Sequence, residues 1–152
     1  MARKQLNGVS KTEEVDVSQW RVNSEGKMFR RGKYNFPNGD FYDGEWIDGK
    51  RNGKGLYQYV NGDKYVGEFK DGRWHGFGIL TLAPRQINGE TIIGRRYEGY
   101  WKHGKKHGRG LFIIGNGNSY DGEFKFDKFH GQGTMRYLFF IFFKNFPCKY
   151  LV

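Results

Sequence analysis

One segment pattern recurs four times in this chain, and no other sequence feature restricts the fold as strongly. The segments YDGEWIDGKRNGKG, YVGEFKDGRWHGFG, YEGYWKHGKKHGRG and YDGEFKFDKFHGQG begin at Tyr42, Tyr65, Tyr97 and Tyr120. The starts at 42 and 65 lie 23 residues apart, as do those at 97 and 120, whereas 65 and 97 are separated by one period plus nine residues. A fixed period of this length is typical of arrays in which each unit contacts mainly its neighbours.

The side-chain period within each unit is two, which predicts β-strands. Tyr42, Gly44 and Trp46 fall on one face of an extended segment, and Asp43 and Glu45 fall on the other. A glycine-containing turn then leads into a second alternating run, so each unit is interpreted as a hairpin whose rings pack over glycines. Hairpins joined end to end predict an all-β fold, an elongated single-layer antiparallel meander of tandem β-hairpins.

The repeat divides the chain into three predicted parts. The first is a flexible N-terminal arm or a cap on the first hairpin, the second is the repeat array, and the third is an apolar C-terminal tail. An apolar tail of this length is too short for a membrane-spanning helix, so it is interpreted as a plug on the last strand, a membrane contact or a gene-model artefact. The parts are residues 1–28, 29–137 and 138–152, with a half unit at 29–41 and an insertion at about 83–96.

Composition and charge limit the classes of function. The net charge of +10, from 26 Lys plus Arg against 16 Asp plus Glu, favours anionic partners. Cys148 is the only cysteine, so no disulfide framework or thiolate zinc site is expected. The N-terminal residues have no apolar core segment of the kind found in secretory signals, and we therefore expect a cytoplasmic protein.

The recurrent polar residues form no catalytic motif. Glu45, Glu68 and Glu123 repeat in the same solvated surroundings, whereas acid/base pairs need unlike surroundings in one cleft. We expect these carboxylates to pair with Lys or Arg. The histidines that precede Gly76, Gly108 and other glycines are interpreted as turn residues, spaced too widely to share a zinc ion. With no nucleophile motif or phosphate-binding loop, the sequence predicts a protein that is not an enzyme and holds no cofactor or metal.

An aromatic trough is the first of two candidate binding surfaces. We expect its rings to stay partly exposed, because a single-layer sheet cannot bury both faces, and to receive an amphipathic helix or peptide of a partner protein. The alternative is that the rings pack only on one another and on glycine. The trough consists of Tyr42, Trp46, Tyr65, Phe69, Tyr97, Trp101, Tyr120 and Phe124.

A basic edge that follows the first-strand turns is the second candidate surface. Each basic residue close to an anionic membrane contributes about 1 kcal/mol to binding, so this row could hold acidic phospholipids. A solvated edge that prevents strand-to-strand aggregation is the other interpretation. Nucleic acid is disfavoured because the rings that would stack on bases are used for packing. The basic edge consists of Lys50, Arg51, Arg73, Lys105, Lys106 and Lys128.

The repeated residues resemble the MORN family (membrane occupation and recognition nexus), over about residues 32 to 137. Three positions depart from the pattern: Asn52 replaces a histidine, Tyr100 a glutamate and Asp127 a turn glycine. The resemblance rests on Tyr65, Gly67, Glu68, Phe69, Gly72, His75, Gly76 and Gly78, and on their counterparts in the other units.

The resemblance implies a non-catalytic array that binds proteins or associates with membranes. Because the chain is similar to short stand-alone members, the leading hypothesis is a scaffold in a cytoskeletal or ciliary assembly, of the axonemal or radial-spoke kind. The alternative is a peripheral membrane module that binds acidic phospholipids through the basic edge. A regulatory fragment related to lipid kinases is a further alternative, which would require a kinase domain that these 152 residues do not contain.

Overall fold

The computed structural model describes residues 20–115 and 117–138, and every regular element in this part of the chain is a β-strand. Ten strands form one antiparallel sheet in sequence order, interrupted only by the insertion, so the predicted single-layer meander is confirmed. The strands are β1 (Arg21–Val22), β2 (Met28–Asn35), β3 (Phe41–Ile47), β4 (Lys50–Gln58), β5 (Lys64–Lys70), β6 (Arg73–Leu82), β7 (Arg85–Ile87), β8 (Glu90–Ile92), β9 (Arg95–Lys102), β10 (Lys105–Ile114), β11 (Ser119–Lys125) and β12 (Lys128–Arg136).

The two ends of the chain lie mostly outside the described residues. Of the predicted N-terminal arm, Trp20 to Met28 are described, and β1 pairs with the start of β2 through Arg21 and Phe29. Of the predicted C-terminal tail only Leu138 is described. The interpretations of that tail therefore remain predictions.

The insertion forms a small hairpin that leaves the array continuous. Strands β7 and β8 pair with each other around Asn88 and Gly89, which have φ angles of 52° and 81°. On either side of this hairpin, β6 and β9 pair directly, with Gly78 opposite Gly99. The extra residues therefore form a separate hairpin, and the strands before and after it pair as they do between units that have no insertion.

A row of glycines crosses the sheet, and the first tyrosine of each unit lies over it. An added Cβ on Gly78 would lie 2.2 Å from Tyr65 Oη, so only glycine leaves room for the ring. Tyr65 is fully buried, and its hydroxyl donates a hydrogen bond to Glu68 O at 2.9 Å. The predicted packing of rings over glycines is confirmed. The row consists of Gly32, Gly44, Gly55, Gly67, Gly78, Gly99, Gly110, Gly122 and Gly133, each opposite the next.

The repeated glutamate holds a bulge in the second strand of the hairpin. In the second unit the strand register shifts between Gly67 and Glu68, and Gly76 at the bulge has φ 56°. The Phe77 N–H donates to Glu68 Oε1 at 3.2 Å. Glu45 likewise accepts from a backbone N–H of its own hairpin. The expectation that these carboxylates pair with Lys or Arg is therefore wrong for Glu45 and Glu68, because the bulge presents closer N–H donors.

Aspartate side chains in the turns between units accept a second repeated set of hydrogen bonds. Asp40 is buried and accepts hydrogen bonds from the Val60 N–H at 2.9 Å and from the Tyr57 hydroxyl at 2.8 Å. One unit later Asp63 Oδ1 accepts from the Ala83 N–H, also at 2.9 Å. Each of these carboxylates thus ties its own turn to the corresponding turn of the next unit.

Replacing Asp40 by Ala should lower the free energy of unfolding by about 1–3 kcal/mol, since the buried Tyr57 hydroxyl and the partly buried Val60 N–H lose their acceptor. The bond from the Val60 N–H, helped by Tyr57 and Asn38, holds the pKa of Asp40 below its ordinary value. A lowered folded-state pKa means that the carboxylate stabilises the fold above about pH 4 and that this stabilisation is lost as the pH falls further. Urea unfolding at a series of pH values measures both effects.

The matched control is Asp40→Asn, which keeps a side-chain oxygen as acceptor but does not titrate. This variant should show a flatter dependence of unfolding free energy on pH in the acid range than the wild type. Asp43→Asn, on an exposed side chain of the next strand, should leave the profile unchanged. Equal acid slopes for the wild type and Asp40→Asn would show that another group controls the acid stability.

Candidate functional site

The eight residues of the predicted trough form the core of the sheet. Their side chains are between 0% and 8% exposed, so the expectation that they stay partly exposed is wrong. Glycine backbone lies beneath each tyrosine, and an aromatic ring of the next unit lies beside it. Tyr42, for example, contacts Trp46 of its own unit at 5.0 Å and Phe69 of the next at 4.9 Å, both edge to face. These rings stabilise the array and leave little surface for a partner.

The accessible layer above this core comes from the second strands. Its side chains are half-buried and pack on the trough residues, and we call the surface that they form the aromatic face. The described part of the chain has no helix, and the small β7–β8 sheet makes hardly any contact with the strands of the array. The aromatic face consists of Tyr34, Phe36, Tyr59, Trp74, Leu80, Phe112 and Met135.

Two members of the predicted basic edge lie on the aromatic face instead. The Arg51 guanidinium is 4.8 Å from the Tyr57 ring, and Arg51 Nη2 donates to Gly72 O at 2.9 Å. Lys106 Nζ is 5.6 Å from the Phe112 ring. Both residues pair across the hairpin with core aromatics, and this register points them toward the rings. The aromatic face therefore carries cations that the sequence analysis had assigned to the edge.

A third cation lies between two indole rings at the N-terminal end of the same face. The Arg30 guanidinium is 5.3 Å from the Trp20 ring and 5.2 Å from the Trp46 ring. Its side chain is 9% exposed, and Nε has no hydrogen-bond partner in the structure. Cation–π contacts thus stabilise a buried positive charge that no described carboxylate neutralises.

The other four members of the basic edge occupy the hairpin tips and are exposed. In three tips they stand directly opposite a second basic residue. Like charges that face each other across a hairpin destabilise it, so this arrangement is not explained by folding. The exposed members are Lys50, Arg73, Lys105 and Lys128. The like-charge pairs are Lys70 with Arg73, Lys102 with Lys105, and Lys125 with Lys128.

Acidic residues accompany the tips at the N-terminal end of the array. A concavity of about 550 Å³ there is lined by Glu25, Asp48 and Asp71 as well as by Lys50 and Lys70. In the last tip, between β11 and β12, Asp127 Oδ1 lies 3.6 Å from Lys106 Nζ of the preceding unit and also accepts from the Lys106 N–H. The tips at both ends of the array therefore carry acidic as well as basic side chains.

The opposite face of the sheet carries an apolar patch that the sequence analysis missed. Val66, Phe77 and Tyr100 are about half exposed, and Leu56 and Ile79 line a concavity of about 520 Å³ beside them. Phe77 and Tyr100 contact each other edge to face at 5.6 Å. The signal in the sequence was twofold: Leu56, Phe77 and Ile79 alternate with glycines in the second strands, and Val66 and Tyr100 are apolar residues on the outward parity of the first strands.

The buried phenols act as hydrogen-bond donors. Burial raises the pKa of Tyr97 to about 12, and burial together with the bond to Asp40 raises that of Tyr57 to about 12. These hydroxyls therefore stay protonated near neutral pH. The described residues contain no group of three or more potential metal ligands, and no helix among them could cross a membrane.

Comparison with known proteins agrees with this geometry. No curated protein matches the chain. The family model for the MORN repeat matches residues 24–41, 42–64, 65–84, 97–119 and 120–137, which together make up more than half of the chain. Each full match begins one or two residues after the start of a first strand. The glycine row, the buried tyrosines and the hairpin register are thus those of a repeat module of a generally non-enzymatic kind, and the chain belongs to the MORN repeat family.

Proposed function

We propose that the chain is a scaffold that binds an acidic amphipathic segment of a partner protein along the aromatic face. The observation that supports this most is the combination of half-buried apolar side chains and three cations on one uncovered face. Aromatic rings with Arg among them are the residues enriched in protein interfaces. Carboxylates on the partner would pair with Arg51 and Lys106, and apolar side chains would cover Trp74 and Phe112.

The dimensions of the sheet suit such a partner. Ten strands spaced by about 4.8 Å extend over about 43 Å. A helix of roughly 28 residues has this length, since each residue adds about 1.5 Å. An assembly of cytoskeletal or ciliary type is the setting we propose, because such assemblies use elongated modules that hold other proteins at fixed spacing.

Binding of acidic phospholipids by the hairpin tips is the second candidate. The observation that favours it is the set of three like-charge pairs, which reduces the stability of the hairpins and has no ion pair with a carboxylate among the described residues. Anionic headgroups would neutralise these pairs. Because the interaction would be electrostatic, it should weaken as the salt concentration rises.

The first two residues of β4 and of β10 provide a matched test, because in each strand the first residue lies at the tip and the second on the aromatic face. Arg51→Glu with Lys106→Glu reverses two charges on the aromatic face, and Lys50→Glu with Lys105→Glu reverses two charges on the tips. We expect the first pair to abolish capture of a protein partner and the second pair to preserve it. Affinity capture quantified by mass spectrometry, followed by titration with the purified partner, measures this. Circular dichroism verifies that both double variants fold.

Vesicles give the second readout on the same three proteins, the wild type and the two double variants. Sedimentation with vesicles of phosphatidylserine and phosphatidylcholine at low and physiological salt should show binding only if the tips bind lipid. Loss of that binding in the tip variant alone would favour the phospholipid function. If the face variant retained every partner that the wild type captures, the proposed protein-binding function would be wrong.

A further inference from the structure

The outer edge of β12 is an unpaired strand with the same residue pattern as the interior second strands. Strands β4, β6 and β10 each pair with the first strand of the following unit, whereas β12 pairs only with β11 among the described strands. Exposure reflects this difference: Gly133 is exposed, although Gly78 at the same repeat position is buried. Phe129 is 51% exposed, whereas the equivalent Trp74 is more deeply covered.

The three interior joints define the register that a strand on this edge would adopt. In every joint the bulge glycine faces an aromatic residue, the row glycine faces a glycine and the next side chain on that face meets a tyrosine. At the joint of β6 and β9, these pairs are Gly76 with Trp101, Gly78 with Gly99 and Leu80 with Tyr97. The counterparts on β12 are Gly131, Gly133 and Met135, each 23 residues after its equivalent in β10.

The backbone groups for such a pairing face outward. The Ile114 N–H donates to Asn118 O across the turn that joins β10 to β11. Because N–H direction alternates along a strand, Phe112 and Gly110 also point toward β11. Met135 and Gly133, their equivalents, therefore point away from β11 toward the open edge. A strand edge with free N–H and C=O groups is a template for pairing with another chain.

The interior joints also show which side chains the edge would select. The tyrosine of each unit receives an aromatic ring from the next first strand, as Tyr97 does from Phe124 at 5.0 Å. When that ring is tryptophan it makes an additional bond, and Trp101 Nε1 donates to Gly78 O at 3.1 Å. At the open edge, Tyr120 of β11 and the Gly133 carbonyl of β12 stand at these two positions.

We propose that the edge of β12 binds an extended segment of a partner protein with the pattern Tyr-x-Gly-x-Trp, as an antiparallel strand with tyrosine opposite Met135. The chain's own residues one period after β11 lack this pattern, since Asn145 stands at the glycine position and Pro147 at the aromatic position. A second copy cannot supply the pattern from β3, β5, β9 or β11, because each is already paired on both edges. Strand β1, Arg21–Val22, contains no glycine.

The test uses a synthetic peptide of residues 40–47, DFYDGEWI, labelled with fluorescein and capped at both ends. Saturable binding is expected at physiological salt, and the same peptide with Trp46→Ala should bind at least about tenfold more weakly, since it loses the ring contact and the bond to Gly133 O. A scrambled peptide of equal charge controls for attraction to the basic protein. Amide hydrogen exchange of the complex should show slower exchange at Gly131, Gly133 and Met135.

Met135→Pro removes one outward N–H at an edge position, where proline is tolerated, and should reduce peptide binding. Because the Met135 side chain also packs on the core, Met135→Ala, which keeps the N–H, is the control for the lost side chain. The peptide comparison needs no variant of the protein, so it decides the question even if the proline variant unfolds. Equal binding of the native and scrambled peptides, or slower exchange only on other strands, would overturn the proposal. A second result would also overturn the proposal: no peptide binds, the wild type self-associates, and Met135→Pro abolishes that self-association. In that case a second copy of the chain, and not a partner protein, would pair with the edge of β12.

Discussion

Gly67→Ala is expected to destabilise the protein by about 3 kcal/mol or more. An added Cβ would lie 2.5 Å from Gly78 Cα, 2.7 Å from Phe77 O and 2.8 Å from Tyr65 Oη. Two of these atoms belong to the backbone of the neighbouring strand, which cannot move without breaking the register between β5 and β6. Urea unfolding followed by circular dichroism measures the loss.

The control for this substitution is Gly72→Asn in the turn of the same hairpin. Gly72 has φ 80° and nothing within 4 Å of an added Cβ, and Asn tolerates this left-handed conformation better than other residues. We expect this variant to lose less than about 1 kcal/mol. Similar losses for both variants would mean that conformational freedom, and not the close contact across the glycine row, sets the need for glycine at position 67.

Trp101→Ala is expected to lower the free energy of unfolding by about 3–5 kcal/mol, since it removes a buried ring from the middle of the core. Trp101 is 4% exposed and contacts Tyr65 and Trp74 of the preceding unit as well as Tyr97 of its own. Loss of this side chain would therefore weaken the contact between two halves of the array. Thermal unfolding monitored by circular dichroism measures the change.

Trp101→Phe separates the ring from its hydrogen bond. Phe69 and Phe124 occupy this repeat position in other units, so a phenyl ring fits the site. The variant loses the bond from Nε1 to Gly78 O, and we expect a cost of about 1 kcal/mol. If the phenylalanine variant were as unstable as the alanine variant, the polar bond and not the aromatic packing would be the main contribution.

The architecture could be predicted from sequence because the same pattern of strand and turn residues occurs in every unit. Alternation of Tyr42, Gly44 and Trp46 against Asp43 and Glu45 fixes strand and face, and an error in one unit would conflict with the others. The departure at Asp127 was tolerated: the residue adopts φ 71° in its turn, the conformation that glycine takes elsewhere. Local pattern and turn chemistry therefore agree with the global fold.

The surfaces were harder to predict than the fold. The parity of a strand tells which side chains share a face, but it does not tell how deeply each one lies beneath its neighbours. The trough residues are buried because rings of successive units contact each other, as Tyr65 and Trp101 do at 5.6 Å. Arg51 and Lys50 are adjacent in sequence and carry the same charge, yet the hairpin register points only Arg51 toward the rings.

The sequence by itself thus determined the period, the hairpins, the order of the strands and the membership of rings and glycines in one face. All of these follow from local alternation and turn residues, which act within a few positions along the chain. Only the tertiary structure decided which rings are covered, which cations lie over them and which strand edge stays open. Those properties depend on the contacts between units and on the position of the last strand, which no single repeat contains.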